Sequence, residues 1–348
     1  MSILRKLPLN KLVISAAVLV VLGLFPTAFG EYQSQLMAKF LVFGLLALSL
    51  DLVWGYTGVI NFSQATFFGL GAYGAALVLK HVTLPGATYL AILAAICLPV
   101  VLAVIMGYLL FYGKVGGVYF AIVTVAVGSI IYSLSIVWID FTGGLNGLYG
   151  FPDLKLGVPG LFELPLGKVD VMNYYYVILV ATVLIYLLAR RIIQSPFGRA
   201  LQAVKANESR AEFVGYDVAA LKLMALALSA GIAGLSGVLY LPVGVVSPEI
   251  LGILFSTNVL VWVAVGGRGT LIGPLVGALV VGYLQTFLSD VLVSVWLLII
   301  GVFFVFVVLF WPDGVVGFVK QKIYPALYQR MPRSTRPSAD SVKPHVPV

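Results

Sequence analysis

Val293-Ser-Val-Trp-Leu-Leu-Ile-Ile-Gly-Val-Phe-Phe-Val-Phe-Val-Val-Leu-Phe310 runs for eighteen residues without a charge. At roughly −0.3 to −0.6 kcal/mol per large apolar side chain, such a run inserts into a bilayer unaided. Similar stretches recur on both sides of it. Working outward, candidate spans fall at 11–29, 37–54, 62–79, 87–111, 117–138, 171–190, 218–242, 255–266, 271–288 and 291–311. The eighth is short, as a broken or tilted helix would be, so the expectation is an all-α integral membrane protein with about ten (eight to ten) transmembrane helices. Glycine and proline inside several spans do not argue against this, because membrane helices tolerate them.

Composition agrees. Of 348 residues, 61% are hydrophobic and 10% charged, and the mean hydropathy is +1.09. A soluble domain would carry roughly 25% charged residues. The single cysteine, Cys97, lies in an apolar stretch and rules out a disulfide within the chain. Two histidines, His81 and His345, with one cysteine and scattered carboxylates make no metal site. Neither metal nor cofactor is expected.

The net charge of +8 is a topology signal rather than a nucleic-acid footprint. With the N-terminus inside and ten alternating spans, 17 of the 21 Lys and Arg fall on the inner side. Only Lys39, Lys80, Lys155 and Lys168 fall outside. This asymmetry places both termini in the cytoplasm. Residues 1–10 form the cytoplasmic N-terminus, 11–318 the membrane domain, and 319–348 a basic tail that is disordered or lies at the lipid surface. Arg5, Lys6 and Lys11 before Leu12–Phe25 resemble a signal peptide, but the apolar run continues to about Phe29, which favours a retained first span. Residues 139–170 form an external loop, 194–217 a cytoplasmic one, and no soluble repeat is evident.

Within that cytoplasmic loop, Asn207 is a good N-cap, Glu208 adds negative charge at the positive helix end, and Gly215 suits a C-terminal stop. The two turns between them would set Ala211 and Val214 on one face. A helix this short does not persist alone in water. It is either a capped surface turn or an element stabilised by docking into a partner.

Five segments resemble one family. They are Ala47-Leu-Ser-Leu-Asp51-Leu-Val-Trp54-Gly-Tyr-Thr-Gly58 with Asn61-Phe-Ser-Gln64 and Phe67–Tyr73; Phe141-Thr-Gly-Gly144-Leu-Asn-Gly147; Ser195–Gly215; Val261-Trp-Val-Ala-Val-Gly-Gly267-Arg-Gly-Thr-Leu-Ile-Gly-Pro-Leu-Val-Gly277; and Phe310-Trp-Pro-Asp-Gly314-Val-Val-Gly317. Together they resemble the permease subunits of branched-chain amino acid and urea ABC importers of the bacterial inner membrane. The resemblance implies a second homologous permease subunit, two ATP-binding subunits and an external solute-binding protein. It also implies that Asn207, Glu208, Ser209, Arg210, Ala211 and Gly215 make the coupling element that enters the ATPase. The family's Glu-Ala-Ala-x3-Gly pattern is met by Ser209-Arg210-Ala211 and Gly215, with the glutamate displaced to Glu208.

Asp51 before Trp54-Gly-Tyr-Thr-Gly, and Trp262-Val-Ala-Val-Gly-Gly-Arg-Gly-Thr, resemble the urea branch. Asn61-Phe-Ser-Gln64 departs from it, so the alternative is a branched-chain or other hydrophobic amino acid. A neutral planar substrate needs a path of uncharged hydrogen-bonding groups, and the spans offer Thr57, Asn61, Ser63, Gln64, Thr124, Ser129, Ser133, Ser256, Thr257 and Asn258. A zwitterion would also gain from helix ends at the membrane midplane. Asp51 is the main intramembrane ionisable residue, a functional candidate by default, or else a tolerated residue at a helix end. Arg268 is placed to pair with it or to bind lipid phosphate. Ala227-x3-Gly231, Ala230-x3-Gly234 and Gly273-x3-Gly277 read as close-packing surfaces, and Tyr174-Tyr175-Tyr176 as an interfacial belt.

No Gly-x4-Gly-Lys-Ser/Thr occurs, so ATP hydrolysis is expected on separate subunits. An autonomous channel or secondary carrier would need no docking helix. A membrane enzyme is disfavoured, because no nucleophile–base pair or paired carboxylates are present.

Overall fold

The computed structural model describes residues 9–318 except 85, 159–161, 167–170, 244, 293–294 and 311–313. Arg5, Lys6 and the basic tail from 319 lie outside these residues, as do residues 293–294 and 311 of the last predicted span. The helices are α1 (Leu9–Thr57), α2 (Gln64–His81), α3 (Ala87–Tyr112), α4 (Gly117–Val137), α5 (Ile139–Thr142), α6 (Val171–Gln194), α7 (Pro196–Ala206), α8 (Glu208–Phe213), α9 (Val218–Tyr240), α10 (Ile253–Gly266), α11 (Ile272–Val291), α12 (Trp296–Phe310) and α13 (Gly314–Phe318). Every predicted span falls on one of them. The protein is an all-α multi-pass membrane protein. Among the described residues six helices are long and apolar enough to cross a membrane, and α10 is a shorter apolar helix.

The first two spans lie on α1, which breaks at Gly30 (φ 78°, ψ 179°). That backbone region is essentially open to glycine alone. Helix α3 carries Cys97 on an exposed face, where an apolar thiol suits lipid.

Apolar burial does not draw helices together inside lipid, so close backbone approach must. Gly71 of α2 meets the backbone of Gly234 in α9, Gly237 meets the Phe68 carbonyl, and Gly234 also abuts the Ala95 carbonyl of α3. None of these three sites has room for a Cβ. On α11, Gly273 and Gly277 press against the backbone of α10 at Gly266 and Trp262. Gly231 is looser, with Val100 3.4 Å from where a Cβ would sit. Around these contacts, Phe43 stacks on Trp262 at 5.1 Å and meets Phe255 edge-on at 5.3 Å.

Helices α2 and α10 start in the interior. Gln64 at the head of α2 bonds to Ser49, which lies about 12 Å before the end of α1 at 1.5 Å per residue. Ala65 N–H bonds to Ser256 near the head of α10. From this meeting point α2 runs towards one end of the molecule and α10 towards the other. A recurring order results: α1, α2, α3, α4 and then α9, α10, α11, α12, each a long helix, a loop, a short helix and two more, run in opposite senses.

One end carries α7 and α8. The opposite end carries an unanticipated antiparallel hairpin, β1 (Leu154–Val158) and β2 (Phe162–Leu166), with Leu154 opposite Leu166. Lys155 N–H bonds to Thr88 and Tyr89 OH to the Gly157 carbonyl, tying the hairpin to α3. At this end Gly143, Gly144 and Gly147 all adopt positive φ. They let Leu148 bridge to Val246, which accounts for the Phe141–Gly147 segment. The tyrosine cluster is not an interfacial belt. Tyr174 and Tyr175 are buried, bonded to the carbonyls of Leu239 and Leu22, and only Tyr176 is exposed.

The glycine contacts predict a contrast. Gly234→Ala forces a Cβ against the Ala95 carbonyl and should cost about 1–3 kcal/mol, the usual range for overpacking. Gly231→Ala should cost under about 0.5 kcal/mol. Thermal unfolding of the detergent-solubilised protein compares the two.

Candidate coupling and translocation site

The loop between α1 and α2 exposes backbone groups where water is scarce, so side chains must satisfy them. Asn61 Oδ1 accepts from Ser63 N–H at 2.9 Å, and Thr124 Oγ1 of α4 accepts from Phe62 N–H at 3.1 Å. Ser63 Oγ donates to the Thr124 carbonyl at 2.6 Å. Gln64 is the hub: its Oε1 accepts from Asn61 Nδ2 at 3.0 Å, and its Nε2 donates to Ser49 Oγ at 2.6 Å and Ser229 Oγ at 3.0 Å. Ser229 Oγ donates onward to the Ser49 carbonyl at 2.5 Å. All of these side chains are buried within the chain.

The remaining path candidates are scattered. Thr57 is buried and donates to the Val53 carbonyl at 2.8 Å. Thr257 is exposed and donates from its hydroxyl to the Ile253 carbonyl of its own helix, and Asn258 beside it is half-buried.

A second polar centre sits at the α7–α8 end. Asp51 is fully buried. Its Oδ1 accepts from Gly269 N–H at 2.6 Å and its Oδ2 from Leu271 N–H at 3.2 Å. It does not pair with Arg268, which lies 5.9 Å over the Trp54 ring instead. The turn Asp51 holds is strained. Leu271 has φ 59°, ψ −41°, and Ile272 N–H bonds to the Thr270 carbonyl at 2.7 Å. This is the rare γ-turn with positive φ at its centre. Tyr56 OH donates to the Gly269 carbonyl at 3.1 Å. Gly55 must be glycine, because a Cβ there would collide with Asp51 Oδ1 and Gly269 N. Gly314 of α13 fits against Gly267 with equal tightness.

Lys205 of α7 completes the junction, donating from Nζ to the Gly55 carbonyl at 2.6 Å. Burial holds its ammonium below the usual lysine range, and the Arg268 charge adds to this while Asp51 opposes it. Four segments far apart in sequence therefore converge here: Asp51–Tyr56, Lys205, Gly267–Leu271 and Gly314.

The excursion between α6 and α9 holds two helices, not one. Ser195 caps α7, with Pro196 in the first turn, a signature present in the sequence. Ala200, Leu201 and Val204 bury its inner face against α1, α6 and α9 in a second core cluster. Asn207 ends α7 and caps α8, accepting from Arg210 N–H at 2.9 Å. Gly215 (φ 95°) closes α8: its N–H bonds to Glu212 and that of Tyr216 to Ala211, a Schellman ending. Glu208 bonds to the buried Lys222 of α9 at 2.6 Å. Ala211 is buried, whereas Ser209 and Arg210 face outward. Val214 does not share Ala211's face. It sits at the C-cap and is exposed with Phe213, which is 91% exposed.

Residues 32–308 match the family described as branched-chain amino acid transport system, permease component. The chain is 26% identical over 309 residues to the high-affinity branched-chain amino acid transport system permease protein LivM of Escherichia coli strain K12, covering 81% of this chain and 69% of that one. It is 24% identical over 302 residues to the corresponding protein BraD of Pseudomonas aeruginosa, covering 82% and 96%. It is also 24% identical over 277 residues to the probable branched-chain amino acid transport permease protein LivM of Methanocaldococcus jannaschii, covering 71% and 78%. No solved structure matches the chain.

Sequence reasoning named Asn61, Ser63, Gln64 and Asp51 but missed Ser49, Ser229, Tyr56 and Leu271. The partners are joined across as many as 220 residues, and nothing local signals them. The hub makes a prediction. Gln64→Leu removes the bonds to Asn61, Ser49 and Ser229 and should cost about 1–3 kcal/mol, while Thr257→Val should cost under about 0.5 kcal/mol. Unfolding midpoints in detergent distinguish them.

Proposed function

Because this chain belongs to the family of branched-chain amino acid transport permease components, we propose that it is the membrane subunit of an ATP-driven importer for a branched-chain or similarly hydrophobic amino acid. The observation that carries the reading is the exposed tip of α8. Phe213 and Val214 stand in solvent on a helix capped at both ends and rooted through Ala211 and the Glu208–Lys222 pair. An apolar tip on a rigid stem suits insertion into a partner's groove. That partner is an ATPase subunit. Two of these, a second homologous permease and an external solute-binding protein complete the importer in the bacterial inner membrane. The α7–α8 end faces the cytoplasm, as do both termini. Lys114, Arg190, Arg191, Arg199, Lys205, Arg210, Lys222 and Arg268 gather towards that end, in keeping with the positive-inside bias.

The relatives favour the amino-acid reading over urea. The features resembling the urea branch, Asp51 and the Gly-Gly-Arg-Gly-Thr run, bind one another and so speak of an internal joint rather than of substrate. Two helices that begin in the interior also suit a zwitterion, since their positive ends favour a carboxylate.

Vesicles holding the full complex should accumulate labelled leucine with ATP and leave labelled urea outside. Urea uptake without leucine uptake would reverse the substrate assignment. Replacing Phe213 and Val214 together by aspartate should lower ATP-dependent uptake at least tenfold and release the ATPase subunits on purification. Transport that survives this change would favour an autonomous channel or carrier.

A further inference from the structure

The junction at Asp51 lies between the docking helices and the interior, and its bonds run in one connected series. Lys205 of α7 reaches the Gly55 carbonyl at 2.6 Å. The same turn of α1 carries Asp51, which holds Gly269 and Leu271 N–H, and Tyr56, which holds the Gly269 carbonyl. That turn connects the foot of α10 to α11, and the head of α10 carries Ser256, which accepts from Ala65 N–H at the head of α2. Space around the carboxylate is filled by Gly55 and Gly269. Both oxygens are engaged by backbone, so Asp51 is not free to meet a solute.

We infer that Asp51 is a positioning residue that locks the strained α10–α11 turn to the end of α1 and, through Lys205, ties the docking helices to the interior heads of α10 and α2. The inference rests on the proposed docking of α8. A movement imposed on α7 pulls at Gly55. Asp51 and Tyr56 carry that pull into the Gly269–Leu271 turn. A γ-turn with positive φ lies well above its relaxed energy, so the turn is poised to rearrange when its clamp shifts. The rearrangement would move α10 as a unit and alter its contact with α2, where the path is interrupted.

The test uses the whole complex, with both permeases, both ATPase subunits and the binding protein, in proteoliposomes. The quantity read is labelled leucine moved per ATP hydrolysed. Asp51→Asn, whose amide oxygen can accept only one of the two backbone bonds, should lower this ratio at least tenfold. Lys205→Met should lower it too, and the double variant should be no lower than Asp51→Asn alone, because links in one series are not additive. A wild-type ratio in Asp51→Asn would overturn the inference. So would uptake and hydrolysis falling in proportion, or a double variant equal to the product of the singles. If Asp51→Asn yields no complex, Tyr56→Phe decides: a ratio reduced at least threefold supports the inference, and an unchanged ratio overturns it. Failure of the docking reading is distinguishable, since ATPase subunits would then be absent from the purified wild-type complex.

Discussion

A backbone that leaves its helix inside a membrane must find partners for each N–H and carbonyl it frees, because lipid supplies none. Among the described residues two helices begin in the interior, at Gln64 and at Ile253, and much of the interior follows from meeting that requirement. Asn61, Ser63 and Thr124 take up the backbone of one interruption. Ser256, near the head of α10, takes up Ala65 of α2, so one broken helix helps to complete the other. Gln64 then binds the arrangement to α1 and α9 through Ser49 and Ser229.

Such bonding needs helices close enough for short side chains to reach across, and the glycines provide it. Gly71, Gly234 and Gly237 bring α2, α3 and α9 into backbone contact, while Gly266, Gly273 and Gly277 do the same for α10 and α11. The polar network and the small-residue contacts are two halves of one solution. Exposed faces of α3, α4 and α6 carry large apolar side chains such as Leu98, Ile122 and Leu184, as surfaces turned to lipid require.

The Asp51 junction applies the same rule at the α7–α8 end, with a charge in place of an amide. A buried carboxylate is costly unless hydrogen-bonded. Here two backbone N–H groups supply the bonds, and the turn that presents them is held in a conformation it would not otherwise adopt. Stabilising the charge and straining the turn are therefore the same interaction. The sequence marked both partners: Asp51 as an ionisable residue in an apolar span, and Gly267-Arg-Gly-Thr as part of a segment that resembles the family. It did not reveal that they meet, and it offered Arg268 as the obvious counter-charge. The guanidinium lies on Trp54 instead, since the backbone N–H groups already occupy both carboxylate oxygens.

What the sequence determined by itself was everything carried by local composition and spacing. Apolar run length set the helices, including the short eighth one. Capping chemistry placed the ends of α8 at Asn207 and Gly215, and glycine spacing marked close-packed faces. Tertiary structure alone decided which polar residues are shared inside the chain and which are turned out. Gln64 and Thr257 look alike in sequence, as polar groups on apolar helices, yet one is a buried hub and the other an exposed hydroxyl folded onto its own helix. The difference lies in what packs against each, and that is set by contacts between helices far apart along the chain, which no local pattern encodes.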